Sequence, residues 1–111
     1  MFIRCAFFEG HVKPGCEEKF ASFVRERLVP LWTKFPGATE VRVLRQRESD
    51  TPQPHYAMVL AIKYPDMAAI EQAMKSDVRN QSREETAELV KLFEGRIFHT
   101  IFDMAHDVEL A

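Results

Sequence analysis

The chain has 111 residues, 46% of them hydrophobic and 29% charged, with a formal net charge of -2. That length fits one domain, residues 1–111, with a genuine core, and the composition excludes a disordered chain. The balanced charge, with no basic patch or stripe, argues against a nucleic-acid partner, and no run approaches the ~20 apolar residues of a membrane span.

Residues 2–12 read as a strand, rich in Phe, Ile and Val and closed by Lys13-Pro14-Gly15. Arg4 and Glu9 break its apolar run, which is too short for a signal peptide. With Cys5 and Cys16 read as reduced thiols, the expected location is cytoplasmic. A helix follows from about Cys16, with Glu17 and Glu18 in the first turn, where the helix dipole favours negative charge. Phe20, Phe23, Val24, Leu28, Leu31 and Phe35 recur at three- and four-residue steps and form its apolar stripe. Pro30 falls inside this pattern and must kink or restart the helix, because it lacks an N–H and crowds the preceding turn.

Residues 39–47 read as an edge strand, 48–54 as a loop, and 55–63 as a strand buried on both faces. Asp66 is a candidate N-cap for the next helix, whose stripe is Met67, Ile70, Ala73 and Met74. The pattern falters from Ser76 to Gln81. Ser82 and Glu85 have capping-box spacing, which predicts a new helix start at Ser82. Gly95 is read as the C-terminal cap of that helix, and residues 96–104 as the last strand.

The order β-α-β-β-α-β is that of the ferredoxin-like split βαβ unit, an α+β class. Spatial order 4-1-3-2 makes every neighbouring strand pair antiparallel. Alternation predicts that Ile3, Cys5 and Phe7 share the helix-covered face with Ile97, His99 and Ile101, joined by Tyr56, Met58, Leu60 and Ile62. Arg4 then falls on the other face, with Phe2, Ala6, Phe8, Phe98 and Phe102. Both faces are apolar, and helices can cover only one. A homodimer through the face opposite the helices is the expected cover.

His99 is the first candidate for chemistry, a neutral imidazole able to exchange a proton near neutral pH. His11 is expected to approach it diagonally and Tyr56 to assist. Trp32, Phe20, Phe23, Met58, Ile101 and Asp103 are the expected pocket lining, suited to a small apolar molecule. Phosphate loops, nucleophile elbows and metal-ligand spacings are lacking, so neither a cofactor nor a metal is expected.

Val12-Lys13-Pro14-Gly15 before a Glu-rich helix start, Val29-Pro30-Leu31, Phe35-Pro36-Gly37, Tyr64-Pro65-Asp66 and Phe93-Glu94-Gly95 together resemble the dimeric α+β barrel superfamily. The chain is most similar to its EthD-like and antibiotic-biosynthesis-monooxygenase-like members. The resemblance implies two sheets packed face to face in a homodimer and a ligand cavity between sheet and helices in each subunit. It further implies an enzyme of the cofactor-independent monooxygenase, cyclase or isomerase type, acting on aromatic or polyketide-like compounds. The alternative is a non-catalytic, ligand-binding or stress-related homodimer. Three departures stand out. Leu28 occupies the position where EthD-like chains often carry a His. Residues 66–94 hold no His to meet a haem iron. The Asn-Trp-His set of some monooxygenases is not reproduced, although Asn80 and Trp32 exist.

Overall fold

Four strands form one antiparallel sheet in the order β2-β3-β1-β4: β1 (Phe2–Val12), β2 (Glu40–Leu44), β3 (Tyr56–Tyr64) and β4 (Phe93–Asp103). The computed structural model describes residues 1–111, and this strand order is the one expected from the connections. The two crossovers carry helices α1 (Glu17–Phe23) and α2 (Val29–Trp32), then α3 (Met67–Met74) and α4 (Asp77–Leu89). No helix is long and apolar enough to cross a membrane.

Pro30 shapes the first crossover. Between α1 and α2 the backbone widens into a π-helical segment, Val24–Leu28, and the Val29 N–H donates to the Val24 carbonyl five residues back. The proline then sits in the opening turn of α2, where no N–H is needed. This restart buries Trp32 and, just beyond, Phe35.

In the second crossover Asp66 caps α3, its carboxylate accepting from the Ala69 N–H at 2.8 Å. The next helix begins six residues earlier than its capping-box spacing suggests. Ser76 is the N-cap of α4 and accepts from the Arg79 N–H, whereas Ser82 lies buried within the helix with its hydroxyl donating to the Arg79 carbonyl. Serine competes for backbone partners wherever it falls, so one with cap spacing still serves inside a helix. Gly95 likewise belongs to β4 rather than to a helix cap, and pairs with Gly10 of β1.

Strand pairing corrects the expected faces. Ala6 lies opposite His99 and Leu60, and Arg4 opposite Ile101 and Ile62. Arg4, Ala6 and Phe8 therefore share the helix-covered face with Ile97, His99, Met58, Leu60 and Ile62. Ile3, Cys5 and Phe7 look the other way, with Phe98 and Phe102. Strand β1 is apolar at both parities, so alternation alone gives it no phase. A register shift between Phe8 and Glu9 moves Tyr56 opposite Glu9, and its ring lies 5.6 Å from that of Phe7.

The core forms where the helices meet the even-numbered residues of β1 and β3. Leu28, Tyr64, Met58 and Leu89 are its largest fully buried side chains. Both cysteines are free.

Candidate functional site

Helix α4 lays an unusual stripe on the sheet. Arg79, Ser82, Arg83, Thr86 and Ala87, with Val90 just past the helix end, fall at helical spacing on one side, and all six line a cavity. Most are polar or small, so the helix cannot close against the strands as a leucine stripe would. The hollow left behind has a volume of about 440 Å³, within the usual range of small-molecule sites. Its floor is Arg4, Ala6 and Phe8 of β1, Leu60, Ile62 and Tyr64 of β3, and Ile97 and His99 of β4. Trp32 and Phe35 close one side.

The two hydroxyls of α4 are satisfied within the helix, Ser82 donating to the Arg79 carbonyl and Thr86 to the Ser82 carbonyl, but the charged and aromatic polar groups of the cavity are largely without partners. The His99 imidazole makes no hydrogen bond within the protein, and Arg4, Arg79 and Arg83 form no salt bridge. No Asp or Glu lines the cavity. Arg79 has one long hydrogen bond, from its guanidinium to the Met74 carbonyl at 3.4 Å. The Tyr64 hydroxyl is buried with no partner at all.

This setting fixes protonation. His99 keeps an exposed edge in the cavity wall, and its partial desolvation there, then the positive charges of Arg4 and Arg79, push the imidazole down to about 4 from its usual 6.5. The ring is therefore neutral at physiological pH. Burial, and then Arg79, lower Arg4 below its ordinary value, yet it stays charged. Burial raises the Tyr64 phenol, opposed in part by Arg4. The charged or titratable groups lining the cavity with His99 are Arg4 from β1, Tyr64 from β3, and Arg79 and Arg83 from α4; Trp32 and Phe35 add no charge. Because the folded pKa of His99 lies below its unfolded value, the unfolded chain takes up this proton first as pH falls. The stability due to neutral His99 is complete above about pH 6.5 and drains away down to about pH 4.

The expected site residues divide between two places. His99 and Trp32 line the cavity under α4. His11, Tyr56, Phe20 and Met58 border a second, more open hollow near the far end of β1. There His11 stacks on His55 with ring centroids 4.0 Å apart, and the His55 Nδ1–H donates to the Gly10 carbonyl at 2.8 Å. His11 pairs with Glu94 while His99 pairs with Ala6, a separation of five residues, or about 17 Å along the strands. The two histidines do not meet. Phe23 packs against the core and lines neither hollow, and Ile101 and Asp103 are exposed.

Arg4, Tyr64, Arg79 and Arg83 were not among the expected lining residues. Arg4 was assigned to the opposite face, and Tyr64 lay one residue beyond the expected end of its strand. The signal for Arg79 is the faltering of the stripe from Ser76 to Gln81; Arg83 falls beyond it, where positions 82, 83 and 86 keep helical spacing with polar side chains.

No family model matches the chain, and no curated protein matches it. Solved structures do. An EthD family protein from Bacillus halodurans superposes with a TM-score of 0.68 at 21% identity, over 93% of this chain and 97% of that one. A mutant form of SnoaB, a cofactor-independent oxygenase from Streptomyces nogalater, gives a TM-score of 0.67 at 18% identity, over 96% of this chain and 95% of that one. An antibiotic biosynthesis monooxygenase gives 0.63 at 16% identity, over 93% and 97%. Fold and neighbours together define the class, a ferredoxin-like α+β chain of the architecture seen in EthD-like and antibiotic-biosynthesis-monooxygenase-like proteins. At these identities the likeness is one of fold.

Proposed function

We propose that the protein is a cofactor-independent enzyme of the monooxygenase, cyclase or isomerase type, acting on an aromatic or polyketide-like compound in the cavity under α4. The observation that carries this reading is His99, a neutral imidazole in a cavity wall with no protein partner. Such a ring accepts a proton from an acidic C–H or O–H of a bound molecule. Trp32, Phe35, Phe8 and Ile97 supply flat apolar walls. In a monooxygenase-type reaction dioxygen is the co-substrate and the organic substrate is itself the reductant: a ring methylene becomes a carbonyl, taking one oxygen atom, while its two hydrogens leave with the other as water. The fold of SnoaB supports this reading without fixing the substrate.

The working unit in this reading is a cytoplasmic homodimer joined through the sheet face opposite the helices. Phe7 stacks on Phe98 at 5.0 Å and meets Phe102 edge-on at 6.4 Å, and no helix covers this cluster. Two ion pairs flank it, Arg96–Glu9 at 2.8 Å and Lys63–Asp107 at 3.5 Å. An apolar centre with a polar rim is the common anatomy of an interface.

The test is turnover of polycyclic phenols and aromatic 1,3-dicarbonyl compounds in aerated buffer, without added cofactor, followed by product mass. His99→Ala is expected to lower turnover about 10²- to 10⁴-fold, the usual contribution of a proton-transfer group, while leaving ligand binding in place. Binding without turnover in the unaltered protein would favour the non-catalytic homodimer instead.

A further inference from the structure

The charge of the cavity is one-sided. Arg4, Arg79 and Arg83 line it, no carboxylate does, and none of the three is paired elsewhere in the chain. Surface arginines are often solvated and unpaired, and Arg83, which is exposed where it borders the cavity, fits that description. Arg4 does not. It projects from a central strand, two residues in from the start of β1 and between Ile62 and Ile101, into the layer between sheet and helix. Two guanidiniums in a half-buried site without a counter-charge repel each other, and folded proteins rarely keep such an arrangement unless something answers it.

Tyr64 is an independent sign. The residue is 0% exposed, lines the same cavity, and its hydroxyl has no hydrogen-bond partner. Buried hydroxyls nearly always have one. A guanidinium offers five donors in a planar fork that matches a carboxylate, and a phenol O–H adds one more. The remaining walls are aromatic and aliphatic, so the anionic group is one end of a larger flat molecule.

We infer that the cavity takes a carboxylate-bearing aromatic molecule, its carboxylate received by Arg4, Arg79 and the Tyr64 hydroxyl, and its rings lying against Trp32, Phe35 and Phe8. This rests on the cavity being a small-molecule site, as proposed above, and adds the charge of the occupant. A further consequence is that the bound anion offsets part of the field that Arg4 and Arg79 exert on His99. The imidazole becomes more basic when substrate is present, closer to the range in which a general base works best at neutral pH. The substrate helps to prepare its own base.

The experiment is calorimetric titration of the protein at pH 7 with 2-naphthoate and with its neutral counterpart 2-naphthamide. Emission from Trp32, the only tryptophan of the chain, serves as a second readout. Naphthoate is expected to bind at least tenfold more tightly than the amide. In Arg79→Met that preference should shrink to about twofold or less while the affinity for the amide is unchanged. Tyr64→Phe should weaken naphthoate several-fold and leave the amide alone. Arg4→Met should act as Arg79→Met does, and if it does not fold, the other two variants decide. Equal affinity for the two ligands in the unaltered protein would overturn the carboxylate inference and leave the cavity reading standing. Failure of both to bind at millimolar concentration would overturn the two together.

Discussion

Replacing Gly95 by alanine is expected to lower stability by about 3 kcal/mol, a shift in melting temperature on the order of 10 °C. Gly95 of β4 faces Gly10 of β1, and the two backbones approach too closely for any side chain. A Cβ on Gly95 would be driven into the Glu9 carbonyl oxygen, and one on Gly10 into the Glu94 carbonyl oxygen. The obstacles are backbone atoms of a central strand pair, which cannot swing aside as a long side chain would. Gly95 also has φ +151, where an L residue is strained. The consequence reaches the site, because the same β1–β4 pairing holds His99 opposite Ala6. Gly15 makes the control. It too has a positive φ, but a Cβ there meets nothing within 4 Å, so Gly15→Ala should cost only about 1 kcal/mol. Chemical denaturation of both variants checks this, and equal losses would contradict the close approach.

The second large effect concerns the proposed dimer. Phe102 is 48% exposed in the single chain, so Phe102→Glu should hardly alter the fold of one copy. In a two-fold interface the same change would bring in two carboxylates, one from each copy, with no partner in the cluster of Phe7 and Phe98. Desolvating them costs about 4 kcal/mol together, roughly a thousandfold in dimer affinity. Sedimentation equilibrium should find the unaltered protein at twice the chain mass and Phe102→Glu at the single mass at the same micromolar concentration. A monomeric unaltered protein would remove the dimer from the account without touching the cavity.

Much of this architecture was legible in the residues. The two helix-containing crossovers, the restart at Pro30 and the cap at Asp66 follow from local chemistry that acts within a few residues, and the strand order follows from the β-α-β-β-α-β connections. What was not legible depends on pairing between distant segments. The run Phe2-Ile3-Arg4-Cys5-Ala6-Phe7-Phe8 is apolar at both parities, and only its register against His99 and Leu60 turns Arg4 inward. The shift between Phe8 and Glu9, which carries Tyr56 to the other face, leaves no mark in composition. Gly95 next to Phe93-Glu94 resembles a helix terminus until its partner Gly10 is seen across the ladder.

The site was half legible, for a similar reason. His99 was identified because it stands alone in an apolar strand, whereas His11 and Tyr56 were joined to it by a face assignment that the register reverses. The cavity itself came from a sequence feature read as weakness, the loss of apolar residues after Ser76. Helix α4 in fact runs unbroken through that stretch. Its missing leucines are the opening, and its arginines are what the opening presents to a ligand.

His99 is a neutral ring beside the cationic Arg4 and Arg79 in the cavity wall. Its titration by proton–carbon NMR in the ligand-free protein tests this most directly, with His99→Ala to assign the resonance. The predicted midpoint is about pH 4. A midpoint at or above 6.5 would mean a solvated ring away from the guanidiniums, and would contradict the site described above.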